Sequence, residues 1–121
     1  NYTGSEYPGF YSMISSVSSS VDKTKYNLDN KKFSSCILIT AIADDFSLVK
    51  ELKEHDIELI TYKYPDHYQF RESDIPKANQ PILVTEKDFV KIKLFCNENV
   101  YILEQNIIPN DKLLKLMEKL S

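Results

Sequence analysis

Residues 36–64, CILITAIADDFSLVKELKEHDIELITYKY, decide the fold class of this chain. They open with CILITAIA (36–43), a short unbroken apolar run of the kind that suits a strand buried on both faces of a parallel sheet. FSLVKELKEH (46–55) changes the period: Phe46, Val49 and Leu52 share one helical face, with lysines and glutamates opposite. IELITYKY (57–64) returns to β-branched and aromatic residues. A strand, an amphipathic helix and a strand in that order predict a βαβ unit with parallel strands.

The same alternation continues toward the C-terminus. Residues 66–80 contain Pro76 and leave room only for a short helix. PILVT (81–85) reads as another buried strand, EKDFVKIKLFC (86–96) as a helix and NVYILEQ (99–105) as a strand. NDKLLKLMEKL (110–120) places Leu113, Leu116, Met117 and Leu120 at i, i+3, i+4 and i+7, an apolar stripe suited to covering the sheet. The predicted architecture is α/β: a mainly parallel sheet with flanking helices, in three layers and with right-handed connections. Strand order is not legible at this level.

Residues 1–35 read differently. They are rich in Ser and Tyr, hold both glycines (Gly4 and Gly9) and show no long helical period. Within them YSMISSVSSSV (11–21) alternates apolar and small polar residues, which fits an edge strand or an extended linker. The expected division is a linker or edge-strand segment at 1–35 and an α/β subdomain at 36–121. The opening NYTGSEYPGFYS, without an initiator methionine, reads as connecting chain inside a longer protein.

Composition narrows the functional classes. A chain of 121 residues can bury one ordinary core. Its net charge of -3 offers no basic field, so nucleic acid is not an expected partner. Cys36 and Cys96 lack CxxC spacing and a histidine cluster, which predicts reduced core thiols and no metal site. No run approaches the roughly 18–20 apolar residues that a membrane span needs, and no signal peptide is evident, so a cytoplasmic chain is expected.

If the strands are parallel, three polar clusters share the rim at their carboxyl ends, where α/β sheets gather ligands. Asp44 and Asp45 follow the first strand, where they suit the start of a helix as caps. Thr85-Glu86-Lys87-Asp88 follows the third and fits a capping box, Thr85 bonding toward the Asp88 amide and Asp88 reaching back. Capping leaves Lys87 unexplained, since a cation opposes the dipole at a helix N-terminus and calls for an anionic partner. Asp66-His67 follows the second strand and reads either as a polar turn or as a proton-transfer site, because imidazole titrates near neutrality. His55 lies at a helix C-terminus, where a cation is favoured without any catalytic duty. The chain has no GxxxxGK[ST], GxGxxG, GxSxG or HExxH motif, and so no nucleotide pocket of its own by sequence.

Taken in order, TAIA before a helix, YPDHYQFRESDI and ILVTEKDFVKIK resemble the C-terminal region of the tetraacyldisaccharide 4'-kinase family, the lipid A kinases. The resemblance spans about residues 36–105, and VTEKDFVK is its most specific part. It implies a P-loop-kinase-like C-terminal subdomain of an enzyme that moves the γ-phosphoryl group of ATP onto the 4'-hydroxyl of a lipid A disaccharide precursor. His67 matches the first histidine of the family's D-H-H motif, which implies a role in activating the hydroxyl, with Asp66 orienting the imidazole. Thr85, Glu86 and Lys87 carry over as motif positions on the substrate or phosphate side. ATP and Mg are implied as cofactors bound mainly by an N-terminal P-loop portion of the same protein, and the inner membrane surface as a peripheral partner. The fragment alone is expected to be inactive. This chain departs from the family at Tyr68, where D-H-H has its second histidine, at Ala41 in place of the turn glycine, and at Asp44-Asp45 in place of N-P.

Two other classes remain open from the residues. A receiver-like phospho-accepting module would use Asp66 as acceptor, although Thr85 and Lys87 share one turn where a receiver separates them on different strands. A non-catalytic interaction domain would dock through the last helix or through Tyr2, Tyr7 and Tyr11.

Overall fold

The computed structural model describes residues 10–41, 45–95, 99–109 and 115–118. Six strands form one sheet: β1 (Phe10–Ser19), β2 (Lys25–Tyr26), β3 (Ser35–Thr40), β4 (Glu58–Lys63), β5 (Ile82–Thr85) and β6 (Val100–Pro109). Two α-helices, α1 (Phe46–Glu54) and α2 (Glu86–Ile92), make the crossovers β3 to β4 and β5 to β6. The strand order is β2-β1-β6-β5-β3-β4. β6, β5, β3 and β4 run parallel, while β2 is antiparallel to β1. β3 pairs with β4 along its whole length, from Ser35 opposite Glu58 to Thr40 opposite Lys63.

Alternation along the parallel strands builds two cores. Cys36 and Leu38 of β3, Leu83 of β5, and Tyr101 and Leu103 of β6 face the side covered by Leu48 and Leu52 of α1. Ile37, Ile39, Ile82, Val84, Val100 and Ile102 face the other side, which Ile92 of α2, Phe70 and Ile75 cover. Strands lined with apolar residues on both faces require cover on both, and this produces the three layers. The helices lie on opposite faces because their crossovers step in opposite directions along the sheet, and right-handed connections then permit no other arrangement.

Several local expectations change. β3 runs to Thr40, and residues 42–43 of the expected strand lie outside the described residues. α1 buries Leu48 and Leu52 and half-buries Val49, whereas Phe46, expected on that face, is 71% exposed. The buried stripe follows the i, i+4 pair, and Phe46 in the first turn falls outside it. α2 stops at Ile92 and tightens into a 3-10 turn at Lys93–Phe95. The region 66–80 holds one 3-10 turn, Glu72–Asp74. Burial pushes the Cys36 thiol up to about 12, and its Sγ donates to the Phe33 carbonyl at 3.3 Å. Cys96 lies outside the described residues.

The stretch 1–35, expected as a linker or an edge strand, contributes β1, which has β2 on one side and β6 on the other. Its serines meet a carboxylate on the neighbouring strand: Ser16 Oγ and Ser18 Oγ donate to Glu104 at 2.7 and 2.5 Å, and Lys25 Nζ lies 3.2 Å away. Beyond the reach of β2, the Ile14 N–H donates to Glu51 Oε2 of α1 at 2.8 Å. The chain groups into one unit of Ile14–Glu104, which holds both cores, and another of Asn1–Met13 with Gln105–Ser121. In the second unit residues 115–118 are helical with Leu116 and Met117 exposed, while Leu113 and Leu120 of the expected stripe lie outside the described residues.

Candidate active site

Because β3, β4 and β5 are parallel, the segments that follow them open on one rim. The sheet order reverses between β3 and β5, since the chain leaves β3 outward to β4 and returns on its other side as β5. Such a switch point leaves a crevice beyond the strand ends.

The turn after β4 carries Asp66 and His67. It is closed by the Tyr68 N–H donating to the Pro65 carbonyl at 3.0 Å. His67 has φ of 64°, a left-handed conformation that costs a non-glycine residue about 1 kcal/mol. Asp66 holds this conformation by accepting the His67 N–H at Oδ1, 3.1 Å. The imidazole itself is 91% exposed, with Nε2 3.6 Å from Asp66 Oδ2. That separation is an ion-pair distance and not a hydrogen bond. Asp66 therefore fixes the main chain of His67 by a hydrogen bond and makes none to its ring, where the expected orienting bond is missing.

An aromatic cluster on either side of His67 anchors the turn. Tyr64 and Tyr68 stack at 4.7 Å, and Phe70 meets both edge-on at 4.9 and 5.0 Å. Tyr68 Oη donates to Asp74 Oδ2 at 3.0 Å, and the Arg71 N–H donates to the same oxygen at 2.8 Å. Tyr68, where the family pattern has a second histidine, is thus a packing residue with a tied hydroxyl. Burial, followed by the nearby Asp74 charge, pushes the Tyr64 phenol up.

The cluster after β5 divides. Thr85 caps α2, its Oγ1 accepting the Asp88 N–H at 3.3 Å. Asp88 does not reach back to the cap backbone as expected. It is fully buried, and its Oδ2 accepts the N–H of Ala41 at 3.2 Å and the Thr85 hydroxyl at 3.4 Å. This carboxylate spans the switch-point crevice from β5 to β3. Its Oδ1 lies 3.6 Å from Lys91 Nζ, and neither of these two atoms has a hydrogen bond within the described residues. Glu86 and Lys87 are exposed on the first turn of α2, and neither side chain has a hydrogen bond or ion pair with another described residue.

After β3, Asp45 stands at the α1 N-cap position without a side-chain cap and instead accepts from Lys63 Nζ at 3.3 Å. Asp44 lies outside the described residues. His55 pairs with Asp29, Nδ1 to Oδ1 2.6 Å, at the end of α1 away from the rim.

A shallow depression of about 370 Å³ on the rim is lined by His67, Tyr68, Gln69, Phe70 and Lys91. The structure thus brings His67 together with Asp66 and with Lys91, and leaves Lys87 and Glu86 out of that lining. Sequence reading missed Lys91 and the bridging role of Asp88. Their i, i+3 spacing on α2 is the signal available for the pair. No signal marks Ala41 as its third member.

An exposed imidazole on a fixed turn can accept a proton from a hydroxyl brought to the rim. Among the described residues there is no group of three or more His, Cys, Asp or Glu placed to hold a metal ion.

Sheet, layers and rim define an α/β domain of the class that carries its working loops at the carboxyl ends of parallel strands. Comparison with known proteins narrows that class to one family. The chain belongs to the tetraacyldisaccharide 4'-kinase family: the model of LpxK, tetraacyldisaccharide-1-P 4'-kinase, matches residues 7–121. The chain is 32% identical over 89 residues to the tetraacyldisaccharide 4'-kinase of Legionella pneumophila (strain Corby), covering 73% of this chain and 28% of that protein. It is 37% identical over 67 residues to the enzyme of Hahella chejuensis, covering 54% and 20%. A crystal structure of the "apo" form of LpxK from Aquifex aeolicus in complex with ATP matches with a TM-score of 0.59 and 27% identity, over 98% of this chain and 38% of that one. The chain thus spans between a fifth and three-tenths of the length of these two curated relatives.

Proposed function

We propose that this chain is the C-terminal part of a kinase that transfers the γ-phosphoryl group of ATP to the 4'-hydroxyl of a tetraacyldisaccharide lipid A precursor. Family membership over residues 7–121 supports the reaction class. The observation that carries the site is the exposed imidazole of His67, held on the rim by a left-handed turn. In this reading neutral His67 helps take the proton of the 4'-hydroxyl as its oxygen attacks the γ-phosphorus, and the bond to the bridging oxygen of ADP breaks. Asp66 keeps the turn in place and stabilises the imidazolium that forms. Lys87, Glu86 and Thr85 stand on the phosphate or substrate side of the same rim.

ATP and Mg are assigned to an N-terminal P-loop portion of the same protein. The working location is the cytoplasmic face of the inner membrane, with peripheral attachment. Among the described residues no helix is long and apolar enough to cross a membrane. Residues 36–121 are proposed as the subdomain that forms one wall of the cleft, with 1–35 leading into it.

The test is phosphoryl transfer from labelled ATP to a tetraacyldisaccharide 1-phosphate by the full-length protein. His67→Ala is expected to lower kcat by about 10²- to 10⁴-fold, the range of a lost general base. Unchanged turnover would remove His67 from the chemistry. The 121-residue chain alone is expected to yield no phosphorylated lipid.

A further inference from the structure

We infer that Asp88 and Lys91 form a buried ion pair that positions the His67 turn, so that this pair acts in the reaction through His67 without touching substrate. The inference rests on the kinase reading above and adds two positioning residues to it.

Burial states the problem. The Asp88 side chain has no exposed surface, and a carboxylate removed from water needs both a counter-charge and hydrogen bonds. One oxygen has them, from the Ala41 N–H and the Thr85 hydroxyl. The other has only Lys91 Nζ at 3.6 Å, and that ammonium has no other partner within the described residues. Lys91 is therefore tethered from below by charge alone. Above, it shares the lining of the depression with His67, Tyr68, Gln69 and Phe70.

Three rim segments thus meet through two side chains. Asp88 fixes the segment after β3 by its backbone, belongs itself to the helix after β5, and pairs with the lysine that lines one depression with the turn after β4. His67 is also kept in place by its own Asp66 and by the aromatic cluster around it, whose Phe70 packs in one core with Ile82 and Val84 of β5 and Ile92 of α2. A lone structural ion pair is a poor choice for stability, since an apolar replacement of both partners is often neutral or better. Its place beside the catalytic turn gives it a use.

The experiment is a cycle in the full-length protein with two changes: His67→Ala, and the paired substitution Asp88→Asn/Lys91→Met. The paired change leaves an acceptor for the Ala41 N–H and no uncompensated buried charge, which makes it the variant able to fold. It is expected to melt within a few degrees of wild type and to lower kcat about tenfold or more, with KM for ATP and for lipid within twofold. In the His67→Ala background it is expected to cost nothing further, and Lys91→Arg, which keeps the charge, is expected to retain most of the turnover. A wild-type kcat, an equal loss with and without His67, or failure of the paired variant to melt cooperatively each overturns the inference. If His67→Ala alone leaves turnover unchanged, it is the kinase role of His67 that fails, so the two outcomes are separable.

Discussion

His67 combines two properties that oppose each other. Its left-handed backbone is more readily adopted by glycine, while its ring is almost fully in water and contributes little packing. His67→Gly is therefore expected to leave stability unchanged or raise it by up to about 1 kcal/mol while abolishing the base. Denaturant titration together with turnover of the full-length protein reads both effects, and a large loss of stability would make the residue structural. Glu104 behaves in the opposite way. The Ser18 and Ser16 hydroxyls, followed by Lys25, hold its carboxyl down to about 2, well below the ordinary 4.5. A depressed carboxylate contributes stability that is fully present above the ordinary pKa and is lost as pH falls toward the folded one. Glu104→Gln is thus expected to be less stable than wild type at pH 7, with the gap closing between about pH 4.5 and 2. Urea midpoints at pH 7 and 3 measure it.

Among the elements, the two helix starts on the rim look alike in sequence and differ in structure. Both have an acidic or hydroxyl residue at the N-cap, yet only Thr85 accepts a backbone N–H, while Asp45 turns to Lys63. Thr85→Ala is expected to cost about 1–2 kcal/mol, since a cap and a bond to buried Asp88 go together. Asp45→Ala is expected to cost no more than about 1 kcal/mol, because its pair with the exposed Lys63 ammonium is screened by water. Equal losses in chemical denaturation would show that Asp45 caps α1 after all. The reason for the difference lies outside each helix, in which partner the neighbouring segment presents: Lys63 ends β4 beside β3 and takes Asp45, whereas the Ala41 N–H after β3 donates to Asp88 in the first turn of α2.

At the scale of the whole molecule, stability rests on the two apolar faces of β3, β5 and β6. Leu38→Ala is expected to cost about 2–5 kcal/mol, as a fully buried leucine leaves a cavity. Phe46→Ala is expected to stay within about 1 kcal/mol of wild type despite the larger side chain, and thermal or urea unfolding distinguishes the two. The periodicity of residues 36–105 determined the α/β class, the parallel strands and the shared rim, because strands buried on both faces and amphipathic helices leave local patterns. The DHYQF and TEKDFVK motifs pointed to the family that comparison then identified. Which residue of each motif stands where was settled only by packing. The switch point between β3 and β5 follows from the strand order, which no local pattern encodes. The meeting of Ala41 with Asp88, 47 residues apart, and the depression that Lys91 and the His67 turn line together follow from it. The serine-rich β1 likewise takes its place in the sheet between β2 and β6, with Glu104 and Glu51, far along the chain, accepting from it. Sequence by itself determined what each segment could become, since that depends on neighbours three or four residues away. Tertiary structure decided which polar groups meet, since burial lets a charge choose among partners from the whole chain.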